Sequence, residues 1–169
     1  MMENDMTMKE AVIAFWTKGF DFSGRARRSE YWLNAFANIL IGFVLWIIIF
    51  TIDTATAYDY HLNDHFFFFI STILPYILLI PSMAQMSRRL QDINVNGKIA
   101  IIITVVDIFF SFLNERVFQG MSLDLDGNAP TMIGLNLLLF IPWLYLFVCK
   151  FIRGTHGDNK YGSDPKRIT

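Results

Sequence analysis

A single cysteine, Cys149, stands in the whole chain. An internal disulfide framework is therefore excluded, and cysteine usage leaves the redox compartment open. Charge is scarce as well. Asp, Glu, Lys and Arg make up 17% of the residues, against about 25% in soluble domains. The N-terminus Met1-Met2-Glu3-Asn4-Asp5 is acidic where a signal peptide would be basic, and no short apolar stretch follows it, so no cleavage is expected. G-x-S-x-G, P-loop and H-E-x-x-H motifs are all missing. The chain is expected to be neither an enzyme nor a holder of a metal or cofactor. A net charge of −1 gives no sign of a nucleic-acid partner.

What is present is apolar. Hydrophobic residues reach 54%, with 17 Phe and 4 Trp, against about 45–50% in soluble domains. At 169 residues the chain has room for one domain, a single membrane domain over 1–169. Tyr31 to Ile52 holds no charge, and about 20 such residues cross the hydrocarbon core as a helix. Phe66 to Ser87 is a second uncharged run, carrying Pro75 and Pro81, which membrane helices tolerate when neighbours satisfy the freed carbonyls. Gly97 to Phe118 is interrupted by Asp107, and Gly127 to Cys149 is uncharged again. The expected fold is all-α, with four transmembrane helices over 24–52, 66–87, 97–118 and 127–149 and a tail over 150–169. A short amphipathic helix over 7–19 precedes them. In it Thr7 and Glu10 have capping-box spacing, and Met8, Ala11, Val12, Phe15 and Trp16 form a stripe suited to the membrane interface.

Orientation follows from the basic residues, which prefer the cytosolic side. Of the 14 Lys and Arg residues, all but Arg116 fall in the N-terminal segment, the second connection or the tail. Both termini should be cytosolic. That requires an even number of spans and supports the third one despite Asp107.

Where the charges gather, three segments carry the unusual residues. In Ser23–Trp32, a helix beginning near Ser23 would set Arg25, Arg28, Ser29 and Trp32 on one face, with Arg27 and Glu30 as a separate pair. In the second connection Arg88 and Asp92 stand at i,i+4, with Arg89 between them. The tail from Gly154 to Pro165 is rich in turn formers. Topology alone explains the arginines but not the acids among them. A cytosolic cap explains both, with Arg25, Arg27, Arg28, Arg88 and Arg89 meeting an anionic lipid headgroup or a protein partner. Ser23, Glu30, Trp32, Asp92, Asn159, Tyr161 and Asp164 would frame it.

Asp107 supports a rival reading. A carboxylate at mid-membrane costs about 2.5–3.5 kcal/mol and usually faces a bundle interior or a cavity. Asn34, Asn38 and Asn136 are the amides available to it, either as an interhelical clasp or as part of an ion or proton path in a small transporter. On the opposite side, His61, Asp64 and His65, and the run Asp124 to Asn128, resemble metal loops only loosely, and read as solvated polar loops. A lipid-modifying enzyme would need a base, and His156 is the only cytosolic histidine.

The motifs Phe22-Ser23-Gly24-Arg25-Ala26-Arg27-Arg28-Ser29-Glu30-Tyr31-Trp32, Arg88-Arg89-Leu90-Gln91-Asp92 and Gly154-Thr155-x-Gly157-x-Asn159-x-Tyr161-Gly162-x-Asp164-Pro165 together resemble the bacterial inner-membrane family called domain of unknown function 805. The resemblance runs from about residue 15 to about residue 165. It implies a small multi-spanning protein of the inner membrane among membrane lipids, alone, self-associated or with a protein partner, and implies no activity. One departure stands out. The family pattern resembles Arg-Arg-Leu-His-Asp, and here Gln91 replaces the histidine. Acid–base work at that position would be lost, whereas a hydrogen bond could be kept.

Overall fold

The computed structural model describes residues 6–113, 134, 137 and 140–166. Among these the chain is helical throughout, apart from turns and an isolated bridge between Asn159 and Gly162.

Helix α1, Met8–Thr17, starts on the capping box read from the sequence. The Thr7 hydroxyl accepts from the Glu10 N–H at 3.3 Å, and the Glu10 carboxylate accepts from the Thr7 N–H at 2.8 Å. Its inner face buries Ala11 and Phe15, while Ile13 and Trp16 on the other side are exposed. It packs on α2, Arg28–Ala55, and on α4, Leu74–Asp92. Just past the end of α1, Gly19 permits a close approach to α4, where a Cβ would stand 3.2 Å from the Pro81 ring and 3.2 Å from the Trp16 carbonyl.

Helix α2 begins later than the sequence suggests. Residues 23–27 are not helical, and α2 starts at Arg28. Gly24 takes a φ of +89°, a conformation that favours glycine, and the Ala26 N–H donates to the Arg88 carbonyl at 3.1 Å. This backbone bond holds the segment across α4, so Arg25 does not share a helical face with Arg28.

At the far end of α2, Asp53 is buried and organises the next element. Its carboxylate accepts from the N–H groups of Leu62 and Asn63 at 3.0 Å and from the Asn63 side chain at 2.8 Å. These are first-turn amides of α3, Leu62–Phe68, so Asp53 caps a helix that follows it in the chain. A π-helical stretch, Phe69–Ile73, joins α3 to α4. Pro75 lacks the N–H that would close on the Ser71 carbonyl, and the wider turn accommodates that loss. The helical path thus runs from Leu62 to Asp92, longer at both ends than the uncharged run 66–87.

Helix α5, Lys98–Leu113, packs on α4, and α6, Phe140–Cys149, brings Leu146 and Cys149 against Met86, Leu90 and Ala100. The outer parts of the expected third and fourth spans, with Arg116, Asp124, Asp126 and Asn136, lie outside the described residues.

Burial is inverted relative to a soluble protein. Large apolar side chains along α2 and α5, among them Ile39, Phe43, Ile102 and Phe109, are exposed, while Arg88, Arg89, Glu30, Gln85 and Asp92 are buried. Arg28–Ala55 and Leu62–Asp92 are each long and apolar enough to cross a membrane. An apolar belt exposed over that length suits hydrocarbon surroundings.

Candidate functional site

The consecutive arginines ending α4 project about 100° apart around the helix, and so serve different segments. Arg88 Nη1 donates to the carbonyl of Lys18 at 2.6 Å and to that of Asp21, capping the end of α1. Its Nη2 lies 3.7 Å from Oε1 of Glu30, both side chains being almost fully buried. Arg89 donates through Nη1 to Asp92 Oδ2 at 2.5 Å and to the Ala26 carbonyl at 3.4 Å, and through Nη2 to the Ile152 carbonyl.

Asp92 is the shared acceptor. Its other oxygen takes the Nε of Arg25 at 3.0 Å. Arg25 in turn holds the tail: Nη1 donates to the Gly157 carbonyl at 2.6 Å and Nη2 to the Thr155 carbonyl at 2.6 Å. The Thr155 N–H and hydroxyl both donate to the Asp92 carbonyl, at 2.9 and 3.0 Å. One carboxylate with its own backbone therefore joins the segment before α2, the end of α4 and the tail. The i,i+4 pairing of Arg88 with Asp92 is replaced by Arg89 at i,i+3 and by Arg25, and Glu30 faces Arg88.

Two glycines make this approach possible. A Cβ on Gly154 would overlap both Asp92 carboxylate oxygens and stand 2.7 Å from its Cγ. A Cβ on Gly97 would overlap the Ser87 hydroxyl and the Gln91 amide, and stand 2.9 Å from the Ser87 carbonyl.

The remaining frame residues occupy smaller roles around this knot. Ser23 donates its N–H and hydroxyl to Asp21 Oδ1 at 3.0 and 2.6 Å, and so sits in a turn before α2 rather than at its start. These bonds hold the Asp21 carboxyl below the usual range, as does the nearby Arg88 charge. Trp32 Nε1 donates to the Lys150 carbonyl at 3.3 Å, and its ring meets Phe151 with centroids 4.6 Å apart. Asn159 donates to the Gln91 carbonyl at 3.0 Å, its own oxygen accepting the Tyr161 N–H at 2.8 Å. Asp164 accepts from the N–H groups of Gly157 at 2.9 Å and Lys166 at 3.0 Å. Gln91 donates to the Phe22 carbonyl at 2.8 Å.

Arg27 and Arg28 stand apart from the buried three. They line a cleft of about 810 Å³ together with Ser29, Arg153, His156 and Lys166, with Arg25 and Asp92 also on its wall. Helix α2 opens here, and Arg27 at its N-cap places no side-chain bond on the first-turn amides. Cationic side chains and the positive end of a helix thus share one cleft.

A second cavity, of about 680 Å³, lies between the helices. Asn34, Asn38, Gln85 and Asp107 line it with a mostly apolar remainder that includes Leu79, Pro142 and Trp143. The amide bonds run within the set Asn38, Asn34 and Gln85. Gln85 escapes a sequence reading attentive to charge, although it is the one amide in the run 66–87. His61 Nδ1 lies 3.5 Å from Asp64 in an exposed pair, and the described residues hold no group of three or more metal-ligating side chains.

The comparisons agree with the motifs. The chain is 28% identical over 145 residues to the Escherichia coli K12 protein "Inner membrane protein YhaI", covering 86% of each chain. It is equally identical over 145 residues to "Inner membrane protein YhaH" of the same organism, covering 86% of this chain and 87% of that one. No solved structure matches. A family model described as "Protein of unknown function (DUF805)" matches residues 19–163, and the chain belongs to that family.

Proposed function

We propose that this chain is a non-enzymatic, multi-pass protein of the bacterial inner membrane, with both termini cytosolic, whose basic cleft binds the phosphate of an anionic lipid headgroup. The exposed apolar belt, the one-sided basic residues and the similarity to Escherichia coli proteins named as inner membrane proteins support the membrane placement. The single observation that carries the binding reading is the cleft at the start of α2, where Arg27, Arg28, Arg153 and Lys166 converge.

In this reading the arginines divide the work. Arg25, Arg88 and Arg89 are committed to Asp92, Glu30 and backbone carbonyls, and hold the cap together. Arg28 and Arg153, on the exposed side, reach the ligand, where a guanidinium can fork onto a phosphate. Native mass spectrometry of the gently solubilised protein tests this. Retained phosphatidylglycerol should be lost in the Arg28→Ala, Arg153→Ala double variant, whose melting temperature stays at the wild-type value. Unchanged lipid content would overturn the lipid reading, and a retained polypeptide in its place would assign the cleft to a protein partner.

A further inference from the structure

The second cavity contains a directed chain of amides with one unused end. Asn38 Nδ2 donates to the Asn34 backbone carbonyl at 2.8 Å and to Asn34 Oδ1 at 3.0 Å. A backbone carbonyl can only accept, so the nitrogen of Asn38 is fixed on that side. The oxygen of Asn34 is fixed in turn, and its nitrogen points to Gln85 Oε1, 3.5 Å away. Gln85 is left with its Nε2 outward in the chain. Among the described residues that atom is buried without a partner, and the residue as a whole is 3% exposed. Turning the Gln85 amide over would set nitrogen against nitrogen, so the orphan is always a donor.

A buried donor without a partner is costly, and amides linked in series polarise one another, which strengthens the terminal N–H as a donor. What satisfies it must be an acceptor. The described walls are mostly apolar, with Ser82, Thr104, Asp107 and Lys150 as further polar members, and a cavity of about 680 Å³ falls within the roughly 300–1,000 Å³ of small-molecule sites. Gln85 precedes Arg88 by three residues, so the donor lies about 4.5 Å along the helix from the arginine layer, on its apolar side. A membrane lipid carries its carbonyl oxygens at that level, between a polar head and its hydrocarbon. Lys150, its Nζ 5.0 Å from the centre of the Tyr31 ring, also lines the cavity and supplies a cation for the head.

We propose that this cavity is a lipid site, separate from the basic cleft, in which Gln85 Nε2 donates a hydrogen bond to the carbonyl oxygen of an apolar-chain ligand, an ester carbonyl of a phospholipid or a keto carbonyl of a quinone. Asn34 and Asn38 hold Gln85 in the donating orientation.

The test is equilibrium binding to the detergent-solubilised full chain of two probes, a short-chain diacyl phosphatidylethanolamine and a short-chain benzoquinone. One of them should bind saturably, and Gln85→Leu and Gln85→Glu should weaken it about tenfold or more, while Arg28→Ala leaves it unchanged. The quinone binding the tighter assigns a keto ligand, and the phospholipid an ester. Leu79→Trp, which adds bulk to the cavity wall and leaves the three amide residues themselves unchanged, should abolish binding, and serves where a Gln85 variant does not fold. Saturable binding of neither probe overturns the proposal, as does binding that survives both the Gln85 and the Leu79 changes. Loss on Arg28→Ala alone would transfer the ligand to the cleft.

Discussion

Arg25 and Asp92, 67 positions apart, meet through a 3.0 Å bond in which both side chains are almost wholly buried. The same carboxylate takes Arg89 on its second oxygen, so removing it strands two guanidinium groups at once.

Asp92→Asn is therefore expected to destabilise more than loss of either arginine partner alone. Breaking a buried ion pair from one side costs about 3–5 kcal/mol, because the remaining charge is left unpaired. Thermal melting in detergent checks this, and the double-mutant cycle of Arg25→Ala with Asp92→Ala should show coupling of about 0.5–3 kcal/mol.

Glycine substitutions should separate close approach from backbone freedom. Gly154→Ala would drive its methyl into the Asp92 carboxylate, and Gly97→Ala into the Ser87 hydroxyl and Gln91 amide, so both should lower the melting temperature. Gly42→Ala is the opposite case. A Cβ there meets nothing within 4 Å, and the position is inside α2, so the change should stabilise by about 0.5–1 kcal/mol.

The tail should loosen in acid. The backbone N–H of Lys166, then that of Gly157 and the charges of Arg25 and His156, hold the Asp164 carboxyl below its usual range. A lowered folded value means that the unfolded tail binds the proton more readily. The stabilisation is present above the ordinary Asp value of about 3.9 and is lost as pH falls through the lowered one. Hydrogen exchange at the Gly157 and Lys166 amides should stay slow until that window, then accelerate. Asp164→Asn should show fast exchange at every pH.

Gln91→His should be tolerated. Gln91 Nε2 donates to the Phe22 carbonyl at 2.8 Å and more weakly to the Ser87 hydroxyl at 3.4 Å, and an imidazole N–H can give the shorter of these bonds. A melting temperature within about 3 °C of wild type is expected, the shift that about 1 kcal/mol produces at this chain length. A large loss would show that the amide oxygen also matters.

Topology underlies the proposed function. A reporter fused after Thr169 should read cytosolic, and one inserted near Asp59 should read external. The same side for both would remove the first span.

Much of the helical frame was legible because it rests on local rules. The Thr7–Glu10 cap, the uncharged stretch within α2 and the Pro-bearing α4 each follow from neighbours in sequence. The arginine pairings were not, because they depend on which segments the backbone brings together. Ser23–Trp32 reads as one helix until Gly24 and the Ala26 bond to Arg88 divide it, and that division sends Arg25 to Asp92 instead of placing it beside Arg28. Gln85 was hidden for another reason. An uncharged amide in an apolar run carries little signal, and its meaning arises only when Asn34 from a different helix fixes its orientation.

By itself, then, the sequence determined an apolar helical chain with its basic residues gathered in three segments, since composition and charge spacing act directly on partition between water and hydrocarbon. Tertiary structure alone decided which of those basic residues turn inward. A guanidinium is driven into a buried site only where carboxylates and backbone carbonyls from distant segments converge to replace its water. That convergence at Asp92 leaves Arg28 outside.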